Sequence, residues 1–329
     1  MSSNLTKSTH TFATHEIPLE CDVYEAPDYP TDSPVLLFFH SGGLVAGSRR
    51  NVPPWLVQTC LKRKWPLVSA SYRLVPQVLG DGLLDDAKSA YAFARNLGRS
   101  GAERPVIVAG ASAGFFMATI VAHHSAPKPL ALFSITGIPT FRHPFFNSST
   151  LIPPDPILEE EVEHLLVEPV SVGTTSATDF ELDMLLPSGA KNLHFQKSAQ
   201  PASDASGQDP NRGILYDYYL YDNAYASLVG GVDAGFDWAK DAASSPKLEE
   251  WPVTIFIQGD ADVDVDMNVC ASVAQLLGDK KGRWCIAIGQ GHLFEKESFI
   301  EDEGPGMDVV RQAVEELDRA VAAGLNVSA

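Results

Sequence analysis

Along this chain, short runs of consecutive apolar residues alternate with longer stretches in which apolar positions recur every three or four residues. A run that is apolar at every position needs cover on both faces, as a strand inside a parallel sheet has. The three-to-four spacing instead places apolar side chains on one face of a helix. Strands are therefore predicted at 34–39 (Pro34-Val35-Leu36-Leu37-Phe38-Phe39), 67–72, 106–109, 130–135, 253–257 and 283–288, with an alternating, half-exposed strand at 17–24. Helices are predicted at 53–63, 81–97, 112–124, 267–277 and 308–323. The repeated order of strand, loop and helix predicts an α/β fold with a mostly parallel central sheet flanked by helices.

The rhythm stops between 139 and 246, where Pro, Ser, Gly and acidic residues crowd and only 156–166 and 215–228 show brief helical patterns. A structureless loop of that length is uncommon inside a compact domain. The segment reads as an inserted cap, with 1–138 and 247–329 forming the core. It carries Tyr216, Tyr218, Tyr219, Tyr221, Tyr225, Phe236 and Trp238, too many rings for a plain exposed loop. Packing of the insertion on the core is the expected role of these rings, and lining a substrate entrance is the alternative.

Composition narrows the class of partner. A length of 329 residues with 45% hydrophobic content fits one large α/β domain with an insertion or two smaller domains, and a formal charge of -18 repels polyanions, which argues against nucleic acid and anionic membranes. Met1 to Glu16 lacks the apolar centre of a secretion signal and no later run is long enough to span a bilayer, so a cytoplasmic location is expected. Cys21, Cys60, Cys270 and Cys285 are scattered with no C-x-x-C pair, which predicts buried thiols and no zinc or redox centre.

The candidate chemistry lies beyond the predicted strands. Gly110-Ala111-Ser112-Ala113-Gly114 follows the strand at 106–109 and precedes a helix, the setting in which a sharp turn presents a nucleophilic serine. A serine hydroxyl needs a base and a carboxylate to orient that base. Gly259-Asp260-Ala261-Asp262 and Gly289-Gln290-Gly291-His292 each follow a later strand, which puts all three groups at the carboxyl edge of one sheet. His40-Ser41-Gly42-Gly43 follows the strand at 34–39. Without Cβ atoms, Gly42 and Gly43 let backbone N–H groups approach a developing oxyanion, with the N–H of Ala113 as a further donor.

Taken together, His40-Ser41-Gly42-Gly43-Leu44-Val45-Ala46-Gly47-Ser48, Tyr72-Arg73-Leu74-Val75-Pro76-Gln77, the turn at Ser112, Asp262-Val263-Asp264-Val265-Asp266 and Gly289 to Phe294 resemble the hormone-sensitive-lipase-like carboxylesterases of the α/β-hydrolase superfamily. Five motifs in one order are far more specific than any single one. The resemblance implies Ser112 as nucleophile, Asp262 as acid, His292 as base and Gly42, Gly43 and Ala113 as oxyanion donors. It also implies a small ester or acyl substrate, no cofactor or metal, and pairing into a homodimer through the last helix or edge strand. An acyltransferase or a lactone- or thioester-processing enzyme is the alternative within the fold, and a non-catalytic small-molecule receptor is the alternative outside enzymology.

Departures from the family pattern bear on substrate shape. Ser41 replaces the first glycine of the oxyanion motif, Ala111 an acid, and Phe115 and Phe116 the small residues after the nucleophile; these two rings are expected to narrow the acyl pocket. Leu44 stands at the substrate position where many formamidases of this fold carry an aromatic. The neighbouring aspartates weaken the choice of acid: Asp260 is expected to be tied to the strand end and Asp264 to lie too far along the turn, leaving Asp262. Their alternation does not make a calcium loop, because Val265 stands at the glycine position and Ala271 at the closing glutamate. His40 is expected to order its loop, and His123-His124 to favour the negative pole of a helix rather than bind metal.

Overall fold

Val35–Phe39 is buried on both faces, as an apolar run without a polar position requires: Val35, Leu37 and Phe39 face one apolar layer, and Leu36 and Phe38 the other. The computed structural model describes residues 5–98, 101–174, 179–197, 209–240 and 246–328. Among these, strands β1 (Thr6–Thr14), β2 (Pro18–Glu25), β3 (Val35–Phe39), β4 (Leu67–Ala70), β5 (Val106–Ala111), β6 (Ala131–Ile135), β7 (Val253–Gly259) and β8 (Gly282–Ala287) form one sheet in the order β1-β2-β4-β3-β5-β6-β7-β8. The first two pairings, β1 with β2 and β2 with β4, are antiparallel. All others are parallel, with Phe39 opposite Gly110 and Ala111 opposite Ile135.

Helices α1 (Pro54–Arg63), α2 (Gly80–Asn96), α3 (Gly114–His124), α4 (Glu159–Leu166), α5 (Ile214–Tyr221), α6 (Tyr225–Leu228), α7 (Pro246–Glu250), α8 (Met267–Lys281) and α9 (Met307–Ser328) complete the element order. Leu83 and Ala87 of α2, Phe115 to Ala118 of α3 and Val269 and Val273 of α8 cover one sheet face. Trp55 and Leu56 of α1 and Val310, Ala313 and Leu317 of α9 cover the other. This two-sided cover is what a parallel sheet demands.

The elements differ from the sequence expectations in instructive places. β1 lies outside the predicted strands, since Thr6–Thr14 has no apolar alternation. It is an exposed edge strand whose threonines suit extended backbone and whose hydrogen bonds go to β2. The helix expected at 215–228 is two, α5 and α6, because Asn223 adopts φ 57 between them. The helix expected from 112 begins at Gly114, because Ser112 has φ 50 and belongs to the turn.

No described residue between β6 and β7 adds a strand to the sheet. Phe141, Phe146, Val162, Leu165, Leu215 and Tyr225 from this segment join the same apolar cluster as Phe115 and Phe116. Asp233 ties its ends together, accepting hydrogen bonds from Thr140 Oγ1 (2.9 Å), Phe141 N (2.8 Å) and Gly235 N (3.0 Å).

A second buried charge secures the chain after β4. Asp86 on α2 accepts from the Arg73 backbone N–H at 2.8 Å and from the Arg73 guanidinium at 2.7 and 3.0 Å, both residues being almost wholly buried. Removing one partner strands the other charge without water. Asp86→Ala is expected to cost about 3–5 kcal/mol, read as a lowered midpoint in urea denaturation at unchanged slope.

Candidate active site

The carboxyl ends of β3, β5, β7 and β8 all reach the same rim, and the order of the sheet reverses between β3 and β5, where open α/β sheets place their clefts. Ser112 leaves β5 in a left-handed conformation, φ 50, with its N–H donating to Ile135 O at 3.0 Å. The flanking glycines make this turn sterically feasible. A Cβ on Gly110 would lie 2.2 Å from Gly114 O, and one on Gly114 2.2 Å from Phe39 O.

His292, on the loop after β8, connects the other two residues. Its Nδ1 lies 2.8 Å from Asp262 Oδ2 and its Nε2 lies 3.0 Å from Ser112 Oγ. A carboxylate only accepts, so the proton belongs on Nδ1, which leaves Nε2 free to accept from the serine hydroxyl. Asp262 is held in turn by Gln258 Nε2 (2.9 Å) and by the backbone N–H groups of Asp264 (3.0 Å) and Val265 (2.9 Å).

The other aspartates of the turn have different tasks. Asp260 accepts from Gly289 N and joins the loops after β7 and β8, while Asp266 caps α8 by accepting from Asn268 N at 2.7 Å. Asp262, Asp264 and His292 offer metal-type ligand atoms within 4.8 Å of one another. Two of the three, however, are already hydrogen-bonded to each other, so a cation there would have to displace the Nδ1 proton.

The loop after β3 folds back on itself: Gly42 O accepts from Val45 N at 2.9 Å and Ala46 N at 2.8 Å, with Gly42 at φ 121 and Gly43 at φ 64. Its next three carbonyls are fixed from outside, Gly43 O by Tyr225 OH (2.8 Å), Leu44 O by Val75 N (3.0 Å) and Val45 O by Arg212 Nε (2.8 Å). Among the described residues no backbone hydrogen bond engages the N–H of Gly42, Gly43 or Ala113. With its carbonyls held outward and these N–H groups uncommitted, the loop can present donors to an oxyanion.

His40 belongs to the scaffold. Its Nδ1 lies 2.8 Å from Ser41 O, and its ring stacks on Tyr72 at 4.2 Å, while Tyr72 OH donates to His40 O at 2.9 Å. Burial pulls its pKa down to about 4, which keeps it neutral.

Ser112 and His292 open into a cleft of about 280 Å³ lined by Ser41, Gly42, Gly43, Ala46, Ile152, Gly213, Tyr216, Asp217, Asp264 and Leu293. The expectation that Leu44, Phe115 and Phe116 contact substrate is corrected here. All three are fully buried in the apolar cluster and absent from the cleft lining. Phe115 packs edge-on against Phe256 at 5.9 Å and Phe116 against Phe141 at 5.1 Å. The first turn of α3 directs both rings beneath the sheet rim and into the core. His123 is also corrected: burial brings its pKa down to about 3 among Phe236, Trp238 and Trp251, so it carries no charge to offer the helix end.

Several site residues were invisible in the sequence. Arg212 and Tyr225 stand in the segment 139–246 without a motif, and their role exists only through long-range contact. Gln258 reads as one strand residue among others. Glu295, three residues after His292, is fully buried, neither carboxyl oxygen meets a partner among the described residues, and burial pushes its pKa up to about 7, opposed by His292.

Comparisons with known proteins agree with this fold. A family model described as the alpha/beta hydrolase fold matches residues 36–204. The probable carboxylesterase M8 of Phoma sp. is 36% identical over 64 residues, which is 18% of this chain and 20% of that protein. Non-reducing polyketide synthase Preu6 of Preussia isomera is 28% identical over 330 residues, covering 90% of this chain and 14% of that protein. The chain thus spans a fifth or less of the length of these curated relatives. Among solved structures, an alpha/beta hydrolase superfamily protein from Enterococcus faecalis superposes with a TM-score of 0.64 at 16% identity, covering 96% of this chain and 98% of its own.

Glu295 carries a pH signature. A carboxyl whose folded pKa lies above its unfolded value keeps its proton longer when folded, so stability falls as pH rises from about 4.5 to about 7. Glu295→Gln abolishes that loss and is expected to gain up to about 3 kcal/mol relative to wild type across this window, measured by urea denaturation at pH 4.5 and 7.5.

Proposed function

Because the chain belongs to the α/β-hydrolase fold family, we propose that it is a serine ester hydrolase that works through an acyl-enzyme. Ser112 is the nucleophile, His292 the general base and Asp262 the acid that orients it. One observation carries the reading: a single imidazole lies within hydrogen-bond reach of both the serine hydroxyl and a buried carboxylate.

Ser112 Oγ attacks the ester carbonyl while Nε2 of His292 takes its proton, and the imidazolium that forms is held by Asp262. The carbonyl oxygen, now negative, is received by the N–H groups of Gly42, Gly43 and Ala113; one such donor is worth about 2.7–4 kcal/mol in the transition state. Collapse of the tetrahedral adduct expels the alcohol, which takes the proton from Nε2. Water, deprotonated by the same nitrogen, then releases the acid and restores Ser112. The segment 139–246 is the cover of this cleft, a reading supported by its contribution of Ile152, Gly213, Tyr216 and Asp217 to the wall.

A second reading concerns the acyl carrier. Similarity to a stretch of a polyketide synthase along 90% of this chain favours an acyl group delivered as a thioester, or passed to an alcohol or amine in place of water. Adding an alcohol acceptor to a turnover assay separates the two: transfer yields the new ester at the expense of free acid.

Ser112→Ala is expected to lower p-nitrophenyl butyrate turnover by on the order of 10⁴-fold or more and to abolish labelling by a fluorophosphonate probe. Equal rates in the two proteins refute the nucleophile, and a wild type that resists the probe favours a non-catalytic receptor. Tyr225→Phe removes only the hydroxyl that fixes Gly43 O, and is expected to lower kcat by about tenfold with little change in KM. A changed KM at constant kcat counts against the proposed role of this loop.

A further inference from the structure

Two carboxylates in the wall of the cleft have no role in the chemistry above. Asp217 on α5 and Asp264 on the loop after β7 both line it beside Ser112 and His292. Each is half-buried, and among the described residues no hydrogen bond or ion pair engages either carboxylate. Their placement is fixed by Tyr216, next to Asp217, whose hydroxyl donates to Asp264 O at 2.6 Å. Desolvation and the facing charge of Asp264 raise the pKa of Asp217.

The lining contains no Lys or Arg to balance them. Arg212, five residues before Asp217, is fully committed to Val45 O, Val75 O, Gln77 and Glu168. His292 is held between Ser112 and Asp262. Some carboxylates taken out of water in this chain are paired, as Asp86 is with Arg73 and Glu168 with Arg212, whereas the buried and unpartnered Glu295 holds its proton more tightly instead. Two half-buried, like-charged carboxylates lining one cleft repel each other, and a ligand that brings positive charge between them relieves that cost.

Resting on the reading of the cleft as an ester hydrolase site, we propose that Asp217 and Asp264 form a cation subsite. The preferred ester then carries an ammonium-type positive charge on the part that does not react, and esters with a carboxylate in that place are rejected. Asp262 differs from this pair in being wholly engaged with His292, Gln258 and the turn N–H groups.

The test assays the 329-residue chain with matched butyrate esters: a trimethylammonioethyl ester, its uncharged 3,3-dimethylbutyl counterpart and a carboxyethyl ester. A second set places the same three groups on the acyl side. In at least one set the wild type is expected to show kcat/KM at least about tenfold higher for the cationic than for the neutral member, with the anionic member lowest. This ratio is expected to fall at least about fivefold in the Asp217→Asn, Asp264→Asn double variant, and taking the ratio within each protein cancels differences in folding or in chemistry. A ratio below tenfold in both sets, or one that persists in the variant, overturns the subsite. Should the variant hydrolyse no neutral ester, the wild-type ratio at about 20 mM and 500 mM NaCl decides: compression by about threefold supports the subsite, and constancy overturns it. Neutral-ester turnover that vanishes in Ser112→Ala reports on the hydrolase reading separately, so one idea can fail while the other stands.

Discussion

The imidazole of His292 meets a carboxylate 30 residues before it and a hydroxyl 180 residues before it, at 2.8 and 3.0 Å. No local sequence feature can hold such a bridge to that tolerance. It depends on the parallel sheet, whose strands β5, β7 and β8 end at one rim and hand their chains into short loops that cannot wander. The cost appears in the backbone: Ser112, Leu44 and Leu293 all take positive φ without being glycine, at 50, 64 and 49 degrees. Strain of that kind persists only where surrounding packing over-determines it, and here the layer of buried rings beneath α3 supplies that packing.

The loop at Gly42 and Gly43 depends on a different kind of support. Glycine gives it freedom to turn, but freedom alone would blur the donor positions; Tyr225, Val75 and Arg212 remove it by fixing three successive carbonyls. Two of those three come from the segment 139–246, so that segment serves as part of the scaffold as well as a wall of the cleft. Its apolar side chains share a cluster with α3, which couples the wall to the helix that follows the serine.

The aspartate-rich turn after β7 shows how similar residues divide labour. Asp260 joins two loops, Asp262 orients the imidazole, Asp264 faces the cleft and Asp266 caps a helix. Four acids at alternate positions are chemically equivalent in the sequence. Their separation into four tasks follows from which backbone N–H or ring nitrogen each one meets.

The pattern of apolar runs determined the strands from Val35–Phe39 to Val253–Gly259, because burial on both faces leaves an apolar signature that needs no tertiary knowledge to read. Motif order likewise pointed to Ser112, Asp262 and His292, since each falls just past a legible strand. Threonine-rich β1 escaped, as an exposed edge strand is specified by pairing rather than by burial. The tertiary structure alone decided that Phe115 and Phe116 turn into the core, that Arg212 and Tyr225 hold the loop beside the serine, and that Asp217 faces Asp264. Each of these rests on contact between residues far apart in the chain, and such contact is a property of the closed fold, absent from any local spacing.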